Sequence, residues 1–169
     1  ILTGSAASAK QALQDAFNAN KEAFLEVLSR TNLVQFLFSQ SLLTGSSIDL
    51  VLSQLSSAAA IDNLTVAQLL DFLISKGLST QATLQGLLGQ IAFTDVFTAL
   101  SSDELLKQLL KQDLIQGAAT LDALKALIAS NGINLTGMSN DQILQALDSA
   151  NILTGSAASA KQALQDAFN

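Results

Sequence analysis

The chain has 169 residues, a net charge of −6 and an apolar content of 49%, with no histidine, cysteine, proline, tryptophan or tyrosine. So apolar a composition excludes intrinsic disorder, and the missing cysteine excludes a disulfide framework and a thiolate metal site. The missing histidine removes the commonest general base and metal ligand, and the acidic balance argues against a nucleic-acid partner.

The apolar spacing is helical throughout. A first helix from Ser5 sets Ala6, Ala9, Leu13, Ala16 and Phe17 on one stripe, and Asn18 and Asn20 are expected to interrupt it before Phe24, Leu25 and Leu28. Asn32 is the expected cap of a helix carrying Leu33, Phe36 and Leu37, ended by Gly45. Ser47 opens Ile48, Val51, Leu52 and Leu55, and Thr65 opens Val66, Leu69, Leu70 and Leu73, with Gly77 as the stop. In the segment Leu84–Ile91, Gly86 and Gly89 each cost a helix about 1 kcal/mol against alanine. They point either to close approach of another helix or to a weak helix held by packing. Ser101 with Glu104, and Ser139 with Gln142, read as capping boxes, and Thr120 opens a helix that Gly132 ends. The expected architecture is all-α: a compact bundle of eight or nine short helices with nothing left over for a sheet.

Residues 1–18 and 152–169 are the same eighteen-residue peptide, ILTGSAASAKQALQDAFN, repeated at an offset of 151. The identity includes Lys10/Lys161, Gln14/Gln165 and Asn18/Asn169, positions expected to face water, where folding alone tolerates change. The expected organisation is therefore one unit of a tandem array, residues 1–151, followed by the first helix of the next unit, residues 152–169. The candidate assembly or swap segment is Leu2, Ala9, Leu13 and Phe17 with their copies Leu153, Ala160, Leu164 and Phe168. Helix-start residues recur every 17 to 19 positions at Ser47, Thr65, Thr83, Ser101, Thr120, Ser139 and Ser156. That rhythm fits a helix-hairpin duplication, but it fits any bundle of short helices as well, and the latter is the simpler expectation.

The residues that could carry chemistry point away from an enzyme. The lysines fall on polar faces, and Asp103 and Glu104 suit a helix first turn. The pair Glu22/Glu26 has Lys21 and Arg30 at hand, with Glu26 and Arg30 at i,i+4 spacing. No cofactor, metal or nucleic acid is implied. Phe36 and Phe38 cannot share one helix face, so Phe36, Phe38, Phe72 and Phe93 are candidates for an apolar cavity or contact, the simpler alternative being a helix buried on several sides. Asn63 and Asn134 begin Asn-x-Thr patterns that could accept glycans in a secreted protein and otherwise serve as turn residues.

A large unit repeated identically and stripped of reactive side chains suits a bulk material. With its duplicated ILTGSAASAKQALQDAFN, its Ser/Ala stretches at residues 5–9 and 56–60 and its many glutamines, the sequence resembles the helical repeat units of spider silk proteins of aciniform, tubuliform and pyriform type. That resemblance implies a secreted, extracellular structural protein whose partners are its own neighbouring repeats and other copies of the chain, with partial conversion to sheet on spinning. Two alternatives are a tandem-repeat carrier of lipid or another small apolar ligand, and a repeated module of a bacterial surface adhesin.

Overall fold

A computed structural model describes residues 6–55 and 61–169. Among these the chain is entirely helical apart from loops and two isolated antiparallel bridges. The helices are α1 (Ala6–Leu25), α2 (Arg30–Ser39), α3 (Ile48–Gln54), α4 (Val66–Ser75), α5 (Leu84–Gly89), α6 (Phe93–Ala99), α7 (Ser102–Lys111), α8 (Leu121–Ser130), α9 (Asn140–Ser149) and α10 (Ala157–Phe168). They fall into two compact units that divide between Ala92 and Phe93, inside the 151-residue period.

One local plan is used five times among the described residues, four of them with closely matched geometry; the fifth runs from the Thr120 cap of α8 to Gly132 at φ 72°, with the N–H of Ile133 donating to Ile128 at 3.2 Å. Ser29, Thr65, Ser101 and Ser139 each accept a backbone N–H through the side-chain oxygen and so start α2, α4, α7 and α9. Twelve residues after each cap the chain turns left-handed, at Ser41, Gly77, Asp113 and Asn151. The next residue buries or half-buries its side chain and donates its N–H back into the helix: Leu42 to Leu37, Leu78 to Leu73, Leu114 to Leu109 and Ile152 to Leu147, all at 2.9–3.0 Å. This is the Schellman ending, which satisfies carbonyls that the helix itself leaves open. The four helix–loop–helix hairpins are therefore a repeat in register, more regular than the cap spacing alone implies.

Within each unit the loops of two hairpins pair. Leu43 bridges Ser79 in the first unit and Ile115 bridges Leu153 in the second. Thr44 N–H donates to Leu78 and Thr80 N–H to Leu42; in the second unit Gln116 donates to Ile152 and Thr154 to Leu114. Gln116 reinforces its loop, its side-chain amide donating to the carbonyls of Asn151 and Leu153.

The first core is built from Phe24, Leu25, Leu33, Leu37, Leu69, Leu70, Leu73 and Leu87, and the second from Phe93, Val96, Leu105, Leu109, Leu124, Leu144, Leu147 and Leu164. Each fully buried leucine contributes about 1.5–3 kcal/mol, so the leucine-rich hairpins hold themselves together without disulfide or metal.

Several local expectations need correction. Helix α1 runs unbroken through Asn18 and Asn20, because Asn18 is buried and bonded to a neighbouring helix rather than hydrated. Ser29, not Asn32, caps α2; it precedes the apolar run by one turn and accepts from Asn32 N–H. Gly45 does not end α2, which stops at Ser39; it lies in the loop, at φ 154°, where a Cβ would come within 2.8 Å of Val51 Cγ2. The seven-residue α6 was not anticipated, although the spacing of Phe93, Val96, Phe97 and Leu100 marks it. Gly89 lies against Gln14 of α1, but the Gln14 Nε2 would sit 4.0 Å from an added Cβ, an ordinary contact, so close helix approach does not demand a glycine there.

Candidate assembly surface

The duplicated peptide forms a helix in both places, α1 and α10, but its side chains are used differently. In α10 the stripe Ala160, Leu164 and Phe168 is buried in the second unit, Leu164 at 0% and Phe168 at 1% exposure. Phe168 packs on Phe93 with ring centroids 5.8 Å apart, and Phe93 on Phe97 at 5.6 Å. Lys161 reaches Asp141 Oδ1 at 2.6 Å and lies 4.6 Å from the centre of the Phe97 ring. Asp148 Oδ2 accepts the N–H of Ala157 at 2.8 Å, joining a carboxylate to the positive end of α10. Ser156 caps the helix by accepting from Ser159 N–H.

In α1 the same stripe faces water. Leu13 is 61% exposed and Phe17 46%, and Ala9 is half-exposed. The expected core stripe of the first helix is therefore not a core stripe there. What attaches α1 to its unit is its C-terminal half. Phe24 and Leu25 are buried, and the amide of buried Asn18 donates to the backbone and side-chain oxygens of Gln85. Lys21 Nζ donates to the carbonyls of Leu88 at 3.2 Å and Ile91 at 3.1 Å. Those carbonyls lie at and just beyond the C-terminal end of α5, where a cation is favourable, yet burial lowers the lysine's pKa below 10.5. Lys21 thus departs from the expectation of lysines on solvated faces.

Of the candidate swap residues, Leu2 lies outside the described residues, and Leu153 is buried at the bridge to Ile115. The phenylalanines proposed for a cavity are shared between the two units. Phe36 is buried and Phe38 and Phe72 are half-buried in the first unit, with Lys76 lying over the Phe72 ring at 5.4 Å, while Phe93 stacks inside the second. An open groove of about 630 Å³ does exist in the second unit, but Phe97, Ile128, Asn134, Thr136, Met138 and Asp141 line it, a mixed wall rather than an apolar one. Asn63 and Asn134 are exposed, and Asn134 Oδ1 accepts Thr136 N–H in a turn of its own.

Two polar anchors tie helices together, of which Asn140 was not expected and the Glu26–Arg30 pair was. Asn140 is buried, its amide donating to the carbonyls of Phe97 at 2.6 Å and Leu100 at 2.9 Å, which moors α9 to the end of α6. In the first unit the expected Glu26–Arg30 pair is present at 2.6 Å and does more than bridge one helix turn. Arg30 Nε also donates to Leu64, and Glu26 Oε1 accepts Val66 N–H, so the pair fastens the end of α1 to the start of α4. A polar residue immediately after a serine cap, as at Ser29-Arg30 and Ser139-Asn140, is the sequence signal both share.

No helix among the described residues is long and apolar enough to cross a membrane. Comparison with protein families, with curated proteins and with solved structures finds no match to this chain.

Proposed function

We propose that this chain is a helical repeat unit of an extracellular, silk-like structural protein, assembled through weak contacts repeated along a tandem array. The observation that carries the reading is the eighteen-residue peptide duplicated at an offset of 151, whose first copy exposes Leu13 and Phe17 where the second buries Leu164 and Phe168. An array accounts for the outward-facing copy, because each link must meet the next; a tandem-repeat ligand carrier would share that feature, but the groove in the second unit has a mixed wall instead of an apolar one, which favours the structural reading. The net charge of −6 keeps units apart in solution, and multivalency lets weak unit–unit contacts add when the protein is concentrated. The absence of cysteine suits storage without premature crosslinking.

The experiment is to concentrate the protein, lower the charge repulsion with salt or acid, apply shear, and follow the infrared amide bands. Fibres that form with partial loss of helix bands in favour of sheet bands are expected. No fibre under any of these conditions, together with a parent gene that encodes the eighteen-residue stretch once, overturns the structural reading. Fibres of unchanged helix content reject the conversion to sheet.

A further inference from the structure

We infer that the exposed face of α1 is a docking surface for a second copy of this chain, and that its seat is the place α10 fills in the second unit. The inference rests on the repeat-unit reading and names the surface through which units join.

The seat recognises α10 through Ala160, Leu164 and Phe168, through Lys161 against Asp141 and the Phe97 ring, and through Asp148 at the first turn. At the corresponding positions α1 carries Ala9, Leu13, Phe17, Lys10 and Ala6, the same residues in the same order. A seat that fits α10 therefore fits the N-terminal half of α1. That half is also available: Leu13 and Phe17 are exposed, and Lys10 is exposed.

The two uses of α1 do not compete. It is held to its own unit by Asn18, Lys21, Phe24 and Leu25, none of which has a counterpart in the stripe that α10 buries. The helix passes from one set to the other without a break, 20 residues from Ala6 to Leu25, about 30 Å long. One helix can thus close the last hairpin of one copy with its first half and lead into the first hairpin of the next with its second. Inside the chain the same two tasks fall to separate helices, α5 and α6, with Gln90, Ile91 and Ala92 between them. The identity of the peptide at Lys10/Lys161 and Asn18/Asn169 then has a physical cause. Lys161 is engaged where Lys10 is exposed, and Asn18 is buried where Asn169 is exposed, so a helix doing both jobs needs both residues.

The contact is head-to-tail, and such heterologous contacts extend into open filaments unless they close into rings. In the intact chain α10 is tethered to its own seat at an effective concentration of about millimolar, so separate chains exchange helices only near that concentration.

The test uses the full chain carrying Leu164→Asp and Phe168→Asp, which evicts α10. Sedimentation at micromolar concentration should show oligomers that grow with concentration while far-ultraviolet circular dichroism stays helical. Adding Leu13→Asp and Phe17→Asp to that chain should return it to monomer, and so should an excess of a synthetic peptide of residues 152–169. A folded variant that stays monomeric and does not bind the peptide overturns the inference. Should the double variant unfold, a mixture of otherwise intact chains decides instead. One carries Lys10→Cys and the other Asp141→Cys, and a short bis-maleimide is added at millimolar concentration. Crosslinked heterodimer about ten-fold above a Lys111→Cys control is expected, and a yield equal to the control overturns the seat. Docking in a protein that never forms fibres overturns the silk reading alone; fibres without docking overturn this surface alone.

Discussion

Phe17 and Phe168 are the same residue of one repeated peptide, yet Phe168 is 1% exposed against Phe93 while Phe17 is 46% exposed on α1. The contrast makes identical substitutions unequal. Leu164→Ala should cost about 2–5 kcal/mol of stability, the range for emptying a packed core site. Leu13→Ala should stay within about 0.5 kcal/mol, as for exposed positions. Urea denaturation of the two single variants, side by side, checks the difference.

Asn140 should be irreplaceable by an apolar side chain of the same branching. In Asn140→Leu the carbonyls of Phe97 and Leu100 lose their donor inside the unit while the branching and heavy-atom count of the side chain are kept. The expected loss is about 1–3 kcal/mol, the cost of stranding buried acceptors, read as a lowered urea midpoint.

The four hairpin ends differ in how comfortably they turn. Gly77 takes φ 67° without a Cβ, whereas Ser41 takes 58° with one. Left-handed geometry costs a non-glycine residue roughly 1–2 kcal/mol, part of which glycine returns as lost chain entropy. Ser41→Gly should therefore raise stability by up to about 1 kcal/mol, and Gly77→Val should lower it by more than that because a β-branched side chain tolerates this region least. Thermal melts of both variants test the opposite signs.

Lys21 predicts a pH dependence. Burial lowers its folded pKa below 10.5, so between that lowered value and 10.5 the unfolded chain binds more protons than the folded one. Stability contributed by this group should therefore rise as pH rises through that interval and be flat below it. Lys21→Met should abolish the rise and also weaken the attachment of α1, because Leu88 and Ile91 lose their shared donor. Denaturation midpoints of the two proteins across that alkaline interval carry the comparison.

The helices were legible in the sequence because their determinants are local. Ser47, Thr65, Thr83, Ser101, Thr120 and Ser139 cap the helices they were expected to cap, since a hydroxyl three residues ahead of an unpaired N–H needs nothing from elsewhere in the chain. Leucine at three- and four-residue spacing likewise specified which faces would seek a core. What those faces would meet was decided only by tertiary packing. The peptide at residues 1–18 has the same caps, spacing and side chains as that at 152–169, and no local rule can separate them. One lies against α9 and α6 and buries Leu164 and Phe168; the other is held by its last residue, Asn18, and by residues beyond it, and leaves Leu13 and Phe17 in water. Asn18 shows the same division, since an asparagine in a helix reads as solvated until Gln85, far along the chain, is brought beside it. Burial is a property of the neighbourhood, and an amino-acid sequence states its neighbours in space only through the fold.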